Sequence, residues 1–254
     1  MPQATRPTIE AGVKPTVPDT LRPYLAHGVE LFPTSRGEAE GDCPFCGRGD
    51  KFAVNVKTGQ FKCIVCQAGT DKGGGNATIF LRLLWERSFE ATNGDSDLFA
   101  KERGLLYSDT LMHWGVVKSV LTGNWLIPGY NVEGALCQLY KRIRFKDRWE
   151  LRPTPTIPHY LHGVPLYQKG KQTVYLHESW GNAMAFWETA RMAKRGDDGR
   201  MVPTGSEQSS LLANANVLAT ANCGAVGEGL LRFSSLFAGK RLVLCFDSDY
   251  PTDT

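Results

Sequence analysis

Four of the seven cysteines form two pairs, Cys43-Pro44-Phe45-Cys46 and Cys63-Ile64-Val65-Cys66, separated by sixteen residues. That spacing matches a four-thiolate zinc pattern. Each C-x-x-C pair can turn both sulfurs toward one ion from a tight knuckle, and two knuckles close a tetrahedron with no position left for a substrate. The expected metal is therefore one structural Zn²⁺ on Cys43, Cys46, Cys63 and Cys66. Two disulfides are the alternative. They would need an oxidising compartment, whereas the cysteine count is odd and no signal-peptide pattern opens the sequence.

A second group is acidic. Asp247-Ser248-Asp249 follows directly on the apolar run Arg241-Leu242-Val243-Leu244-Cys245-Phe246, which suits the buried centre of a parallel sheet. Glu178 in the same way ends the apolar segment 173–177. Parallel sheets bind ligands at the carboxyl ends of their strands. If these two strands are neighbours, Glu178, Asp247 and Asp249 converge on one crevice able to hold Mg²⁺ or Mn²⁺ against substrate phosphates, the arrangement of phosphoryl transfer. A solvated turn is the plainer reading of Asp-x-Asp alone.

The third group is basic. In Tyr140-Lys141-Arg142-Ile143-Arg144-Phe145-Lys146-Asp147-Arg148-Trp149, a continuous strand would put Arg142, Arg144, Lys146 and Arg148 on one face. Ile143, Phe145 and Trp149 would then pack on the other. Such a row of cations, with Lys141 beside it, can follow a phosphate backbone, although a merely solvated basic face has the same pattern. The five histidines show no ligand spacing among themselves, and the tryptophans read mostly as core. Trp180 follows the Glu178 strand in a turn, where it either stacks on a base or plugs a helix end.

The elements that must position these groups divide the chain. The 254 residues carry a net charge of +3 and 42% hydrophobic residues, so nucleic-acid affinity has to come from local clustering. No apolar run approaches the ~20 residues of a membrane span, and a cytoplasmic protein is expected, with Cys137, Cys223 and Cys245 as buried free thiols. Residues 1–40 read as an extension with a short helix at 19–29. Residues 41–90 read as a zinc ribbon whose hairpin is too small to bury a core and folds on its metal. A helix capped by Asn76 follows over 77–86, with Ile79, Phe80, Leu83 and Leu84 on its apolar face. Residues 91–97 read as a linker and 98–168 as a basic subdomain, with helices at 98–104 and 108–114 and strands at 124–130 and 134–145. Strand and helix alternate over 169–254, which predicts a parallel sheet covered by helices, with 196–207 as a disordered insertion. The fold class expected is multidomain α+β: a hairpin-rich zinc ribbon, then an α/β core.

These modules, in this order, resemble the primase half of phage primase-helicase proteins and, more distantly, bacterial DnaG-type primases, over about residues 40–254. The cysteine quartet followed by Gly75-Asn76-Ala77-Thr78-Ile79-Phe80 is similar to the primase zinc ribbon. Leu98-Phe99-Ala100-Lys101-Glu102-Arg103-Gly104-Leu105 resembles the Y-L-x-x-R-G-L opening of the basic subdomain. Trp125-Leu126-Ile127-Pro128 through Gly134 to Arg142 resembles its L-I-P-x-x-D-x-x-G hairpin. Glu178-Ser179-Trp180-Gly181-Asn182 and Asp247-Ser248-Asp249 stand where a TOPRIM domain carries E-G-x-x-D and D-x-D.

The resemblance implies a DNA-directed RNA polymerase that makes short primers from ribonucleoside triphosphates on a single-stranded DNA template. Its ribbon would read the template, and its TOPRIM carboxylates would hold Mg²⁺. It also implies a replicative helicase as partner, fused or separate, because no G-x-x-x-x-G-K-[ST] loop is present in the sequence. The sequence departs from the pattern at Ser179 and Asn182, in Tyr250-Pro251 after D-x-D, and in reaching only Thr254. Those departures keep open a second reading, a single-strand-binding module with a degenerate, non-catalytic TOPRIM domain.

Overall fold

The computed structural model describes residues 17–66, 68–69, 73–92, 96–191, 193–195, 197, 201–203, 210–221 and 226–246. A short helix, α1 (Arg22–Ala26), carries Pro23 in its first turn and precedes strands β1 (Phe32–Pro33), β2 (Glu38–Gly41), β3 (Phe52–Asn55), β4 (Phe61–Cys63) and β5 (Gly74–Gly75). The five strands form one antiparallel sheet in sequence order.

This sheet does bury a core, contrary to expectation. The rings of Tyr24, Phe45, Phe52, Phe61 and Phe80 meet with centroids 4.8–6.4 Å apart, and all five residues are buried. The hairpin alone is small, but α1 supplies Tyr24 and the following helix supplies Phe80, so the packing reaches upstream of residue 41. Tyr24 also donates its hydroxyl to the Gly59 carbonyl at 2.5 Å. Gly59 turns the hairpin at φ +67°, where a Cβ would sit 3.3 Å from the Thr20 carbonyl oxygen.

Helix α2 (Ala77–Ala91) starts where expected, with Asn76 Oδ1 accepting from the Ile79 amide at 3.0 Å. It runs past residue 86, and α3 (Ser96–Glu102) begins soon after, so helix occupies both ends of the expected linker 91–97. The first half of α2 packs on the ribbon. Its second half docks on the segment 115–120: Trp85 Nε1 donates to the Gly115 carbonyl at 2.7 Å, Val120 N to Ser88 Oγ at 3.2 Å and Lys118 N to Thr92 Oγ1 at 3.0 Å.

After α4 (Asp109–His113) comes a second antiparallel sheet, β6 (Val117–Lys118), β7 (Trp125–Tyr130), β8 (Leu136–Phe145) and β9 (Arg148–Pro153), in that order. Its link to the ribbon is polar as well as apolar. Buried His27 Nε2 lies 2.8 Å from Thr154 Oγ1, and Lys141 Nζ donates to the Ala26 carbonyl.

The remaining elements are β10 (Thr173–His177), α5 (Trp180–Arg191), β11 (Ala193–Arg195), β12 (Met201–Pro203), β13 (Ala215–Ala219), α6 (Val226–Arg232), α7 (Ser234–Phe237) and β14 (Arg241–Cys245). Strands β13, β10 and β14 form the parallel sheet that strand–helix alternation predicts. The central strand is β10, not the more apolar β14, whose Leu244 is 51% exposed at the edge of the described sheet. Most of the expected disordered insertion, 196–207, lies outside the described residues, but β12 falls inside it and pairs antiparallel with β11. The two sheets of the core are joined by residues 161–162. Leu161 bridges to Tyr130 at the end of β7, and His162 bridges to Ala219 at the end of β13.

Candidate functional site

The zinc ligands come together as their spacing requires. The Sγ atoms of Cys43, Cys46, Cys63 and Cys66 all lie within 4.8 Å of one another, with Cys43 to Cys66 at 3.7 Å and Cys46 to Cys63 at 3.8 Å. Tetrahedral bonds of ~2.3 Å put sulfurs about 3.8 Å apart, so the quartet fits Zn²⁺ without rearrangement. A disulfide needs sulfurs only ~2.05 Å apart, and all four cysteines are free thiols. The aromatic core lies next to this site: Phe45 sits in the first knuckle and Phe61 two residues before Cys63.

The basic stretch is not one strand. Lys146 and Asp147 make the turn of a hairpin in which Phe145 pairs with Arg148, Arg144 with Trp149, Arg142 with Leu151 and Lys141 with Arg152. Directly paired residues share a face, so the expected row of cations splits. Arg142 and Arg144 share one face with Trp149, whereas Arg148 stands on the other with Lys141, Phe145 and Arg152. Arg142 is also buried, at 5% exposed, and is held by Glu102 Oε1 at 3.2 Å. It cannot be the exposed phosphate contact that alternation suggested. Arg144, Lys146 and Arg148 are exposed at the tip. Half-buried Lys141 has its ammonium pushed below the ordinary lysine value by burial and by Arg152.

Two aromatic residues expected to pack are instead open, Phe145 at 42% and Trp149 at 50% exposed. Arg152, which alternation did not single out, lies over Phe145 at 4.9 Å and donates to Glu150 along with Arg148. The reversal that places it could have been read from Lys146-Asp147, a polar pair between two β-prone runs. The backbone makes that turn with Lys146 at φ +53°.

At the carboxyl edge of the parallel sheet, β10 and β14 are neighbours in register, His177 opposite Cys245, and the Glu178 amide donates to the Cys245 carbonyl at 3.4 Å. Glu178 therefore leaves its strand level with Phe246, one residue before Asp247. Asp247 and Asp249 lie outside the described residues, as do Asp253 and Cys223. Among the described residues, the only cluster able to hold a metal is the cysteine quartet.

Behind Glu178, α5 opens on Trp180, which is 7% exposed and plugs the helix start. Phe99 stacks against it at 6.3 Å and the Arg103 guanidinium lies 5.0 Å above it. Gly181 gives Arg103 room: a Cβ there would collide with the guanidinium. Burial, and then the nearby Arg142, hold Arg103 below the ordinary arginine range, and its Nε has no hydrogen-bond partner among the described residues. Arg103 thus lies against the start of α5, while the nearby Arg142 is paired with Glu102.

One buried carboxylate sets the geometry from behind. Glu188, 3% exposed on α5, accepts from the Leu106 amide at 2.6 Å, the Tyr107 amide at 3.0 Å and Thr110 Oγ1 at 2.7 Å. It ties the start of α4 to the helix that begins behind Glu178. Nothing in the sequence marks Glu188 except an acid at a position where the helix turns inward.

No family model and no curated protein matches the sequence. Solved structures do. The zinc-binding and RNA polymerase domains of the Aquifex aeolicus primase match at 14% identity over 91% of this chain and 78% of that one, with a TM-score of 0.36. The primase fragment of the bacteriophage T7 primase-helicase protein matches at 17% identity over 83% of this chain and 80% of that one, with a TM-score of 0.44. Bacteriophage T7 primase domains bound to an RNA/DNA hybrid and dTTP, interacting with the lagging-strand DNA polymerase, match at 17% identity over 82% and 79%, with a TM-score of 0.39.

Proposed function

We propose that this chain is a DNA primase of the DnaG type, a nucleotidyltransferase that makes short RNA primers from ribonucleoside triphosphates on single-stranded DNA. The observation that carries the reading is the in-register parallel pairing of β10 with β14, which brings Glu178 level with the residue preceding Asp247-Ser248-Asp249. It is supported by a hairpin of exposed cations and a fitted four-thiolate site in the same chain.

In this reading the ribbon of residues 41–90 reads the template, residues 98–168 grip it, and residues 169–254 form a TOPRIM subdomain. Glu178, Asp247 and Asp249 would hold Mg²⁺ or Mn²⁺, which when bound neutralises the triphosphate and lowers the pKa of a coordinated hydroxyl. The primer 3′-oxygen attacks the α-phosphorus of the incoming nucleotide and the bond to pyrophosphate breaks, with Glu178 serving either as a second metal ligand or as the base that takes the hydroxyl proton. Arg103 lends positive charge at the start of α5. Arg144, Lys146 and Arg148, with Lys141 and Arg152, keep the template phosphates close. Work at a replication fork places the protein in the cytoplasm, the host's if phage-encoded, beside a replicative helicase.

Primer synthesis with labelled ribonucleotides on single-stranded DNA tests this. Metal-dependent oligoribonucleotide products are expected from the chain. Template binding without products would replace the enzyme by a single-strand-binding module.

A further inference from the structure

The buried side of the hairpin forms a column. Trp125 and Phe99 stack with centroids 4.1 Å apart and planes 11° from parallel. The Arg142 guanidinium lies 4.9 Å beyond the Phe99 ring, and the Trp149 ring lies 4.0 Å from that guanidinium. Ring, ring, cation and ring thus pack in sequence. The first three members are buried or half-buried, and the last, Trp149, is 50% exposed at the hairpin tip. Glu102 fixes the cation at 3.2 Å, so the guanidinium cannot swing away from the indole it backs.

A solvent-exposed indole held on a cation–π seat is ordered before any ligand arrives, which removes much of the entropy cost of presenting a flat apolar surface. What completes such a column is another flat π-system. The surroundings specify which kind: exposed Arg144 pairs directly with Trp149, and exposed Lys146 and Arg148 lie within three residues of it. Cations placed around a stacking surface suit an aromatic base on a phosphate chain, and a base can enter only when it is not already stacked in a duplex.

We propose that Trp149 is a nucleobase-stacking platform that holds one unpaired base of a single strand at the hairpin tip. A phosphate beside that base lies against Arg144, which shares the face of Trp149. The proposal rests on the reading of the hairpin as a single-strand grip and adds to it a contact with the base itself. Such a contact tolerates any base, because every base has a π-face.

The test compares two fluorescently labelled strands of equal length and charge, an oligothymidylate and its abasic counterpart, with binding followed by anisotropy. Trp149→Leu keeps apolar bulk without a π-face, and Trp149→Phe keeps a smaller π-face. Trp149→Leu is expected to weaken oligothymidylate binding on the order of tenfold, leave abasic binding unchanged and leave the salt slope unchanged, with Trp149→Phe restoring most of the loss. Equal losses on both strands, or no loss on either, would overturn the proposal. If the unaltered chain binds neither strand, the single-strand reading of the hairpin falls, and this proposal with it. Matching thermal unfolding of the two variants excludes a folding defect as the cause.

Discussion

Replacing Glu188 by Gln changes no volume and removes one charge, so its effect can be worked from the hydrogen bonds. The carboxylate accepts from two backbone amides and one hydroxyl, at 2.6, 3.0 and 2.7 Å, in a site 3% exposed. An amide has only one acceptor oxygen. Its NH₂ group must face at least one of those donors, leaving a buried N–H unpaired at a cost of about 1–3 kcal/mol. The remaining bonds also lose their charge assistance, worth roughly another 1 kcal/mol. Thr110 can rotate its hydroxyl, but the Leu106 and Tyr107 amides cannot. The expected destabilisation of Glu188→Gln is therefore about 2–4 kcal/mol, or a drop of about 5–15 °C in the midpoint of thermal unfolding.

Urea unfolding of Glu188→Gln, Thr110→Val and the double variant makes the measurement specific. Thr110→Val alone should cost about 1 kcal/mol, and the two should be strongly non-additive because they share one bond. Proteolysis near residues 105–108 should quicken in Glu188→Gln, since the carboxylate holds that segment. A change below ~0.5 kcal/mol, or full additivity, would refute the reasoning that this carboxylate ties α4 to α5.

Elemental analysis should find one zinc per chain, and Cys63→Ser should lose it, because three thiolates leave the tetrahedron open. Asp247→Asn should reduce primer synthesis by orders of magnitude while single-strand binding persists; normal synthesis would remove the carboxylate edge from the mechanism. Arg148→Ala should lower single-strand affinity for all sequences alike and flatten the salt slope by ~0.7. Arg142→Ala should instead lower the unfolding midpoint, because its cation is buried in the column. Burial pushes His27 down to about 3, with Lys141 adding to the effect, and burial pushes His162 and His177 down to about 4. A base whose folded value lies below its unfolded one, near 6.5, takes up its proton mainly on unfolding. Stability should therefore be fully present above about pH 6.5 and fall as pH drops toward 4. His27→Gln should flatten that fall, as read from urea midpoints across the pH range.

Features governed by local chemistry were legible in the sequence. The knuckle spacing gave the four thiols, Asn76 gave the start of α2, and alternation of apolar strand and helix gave the parallel sheet; that β10 and β14 are neighbours was a condition of the acidic reading, which their pairing meets. Errors arose where one strand's reading depended on another. Period-two alternation from Arg142 to Arg148 is sound for a continuous strand, but a two-residue reversal at Lys146-Asp147 inverts the face of everything after it. The apolar content of β14 suggested a central place, yet position in a sheet depends on which strands pair, and β10 pairs on both sides. The aromatic core of the ribbon was hidden because Tyr24 and Phe80 come from segments outside the hairpin. Glu188 was hidden because its donors lie about 80 residues earlier.

Residues 161–162 make a stitch between two sheets, bridging to Tyr130 on one side and Ala219 on the other. On the proposed function, that stitch would make the hairpin tip and the Glu178 edge the two jaws of a calliper. A strand held at Trp149 would arrive at the carboxylates after a constant contour, whatever its bases. The length of template between grip and chemistry would then be a property of the backbone, and lengthening the connection at 155–160 should shift where synthesis begins before it alters how fast it runs.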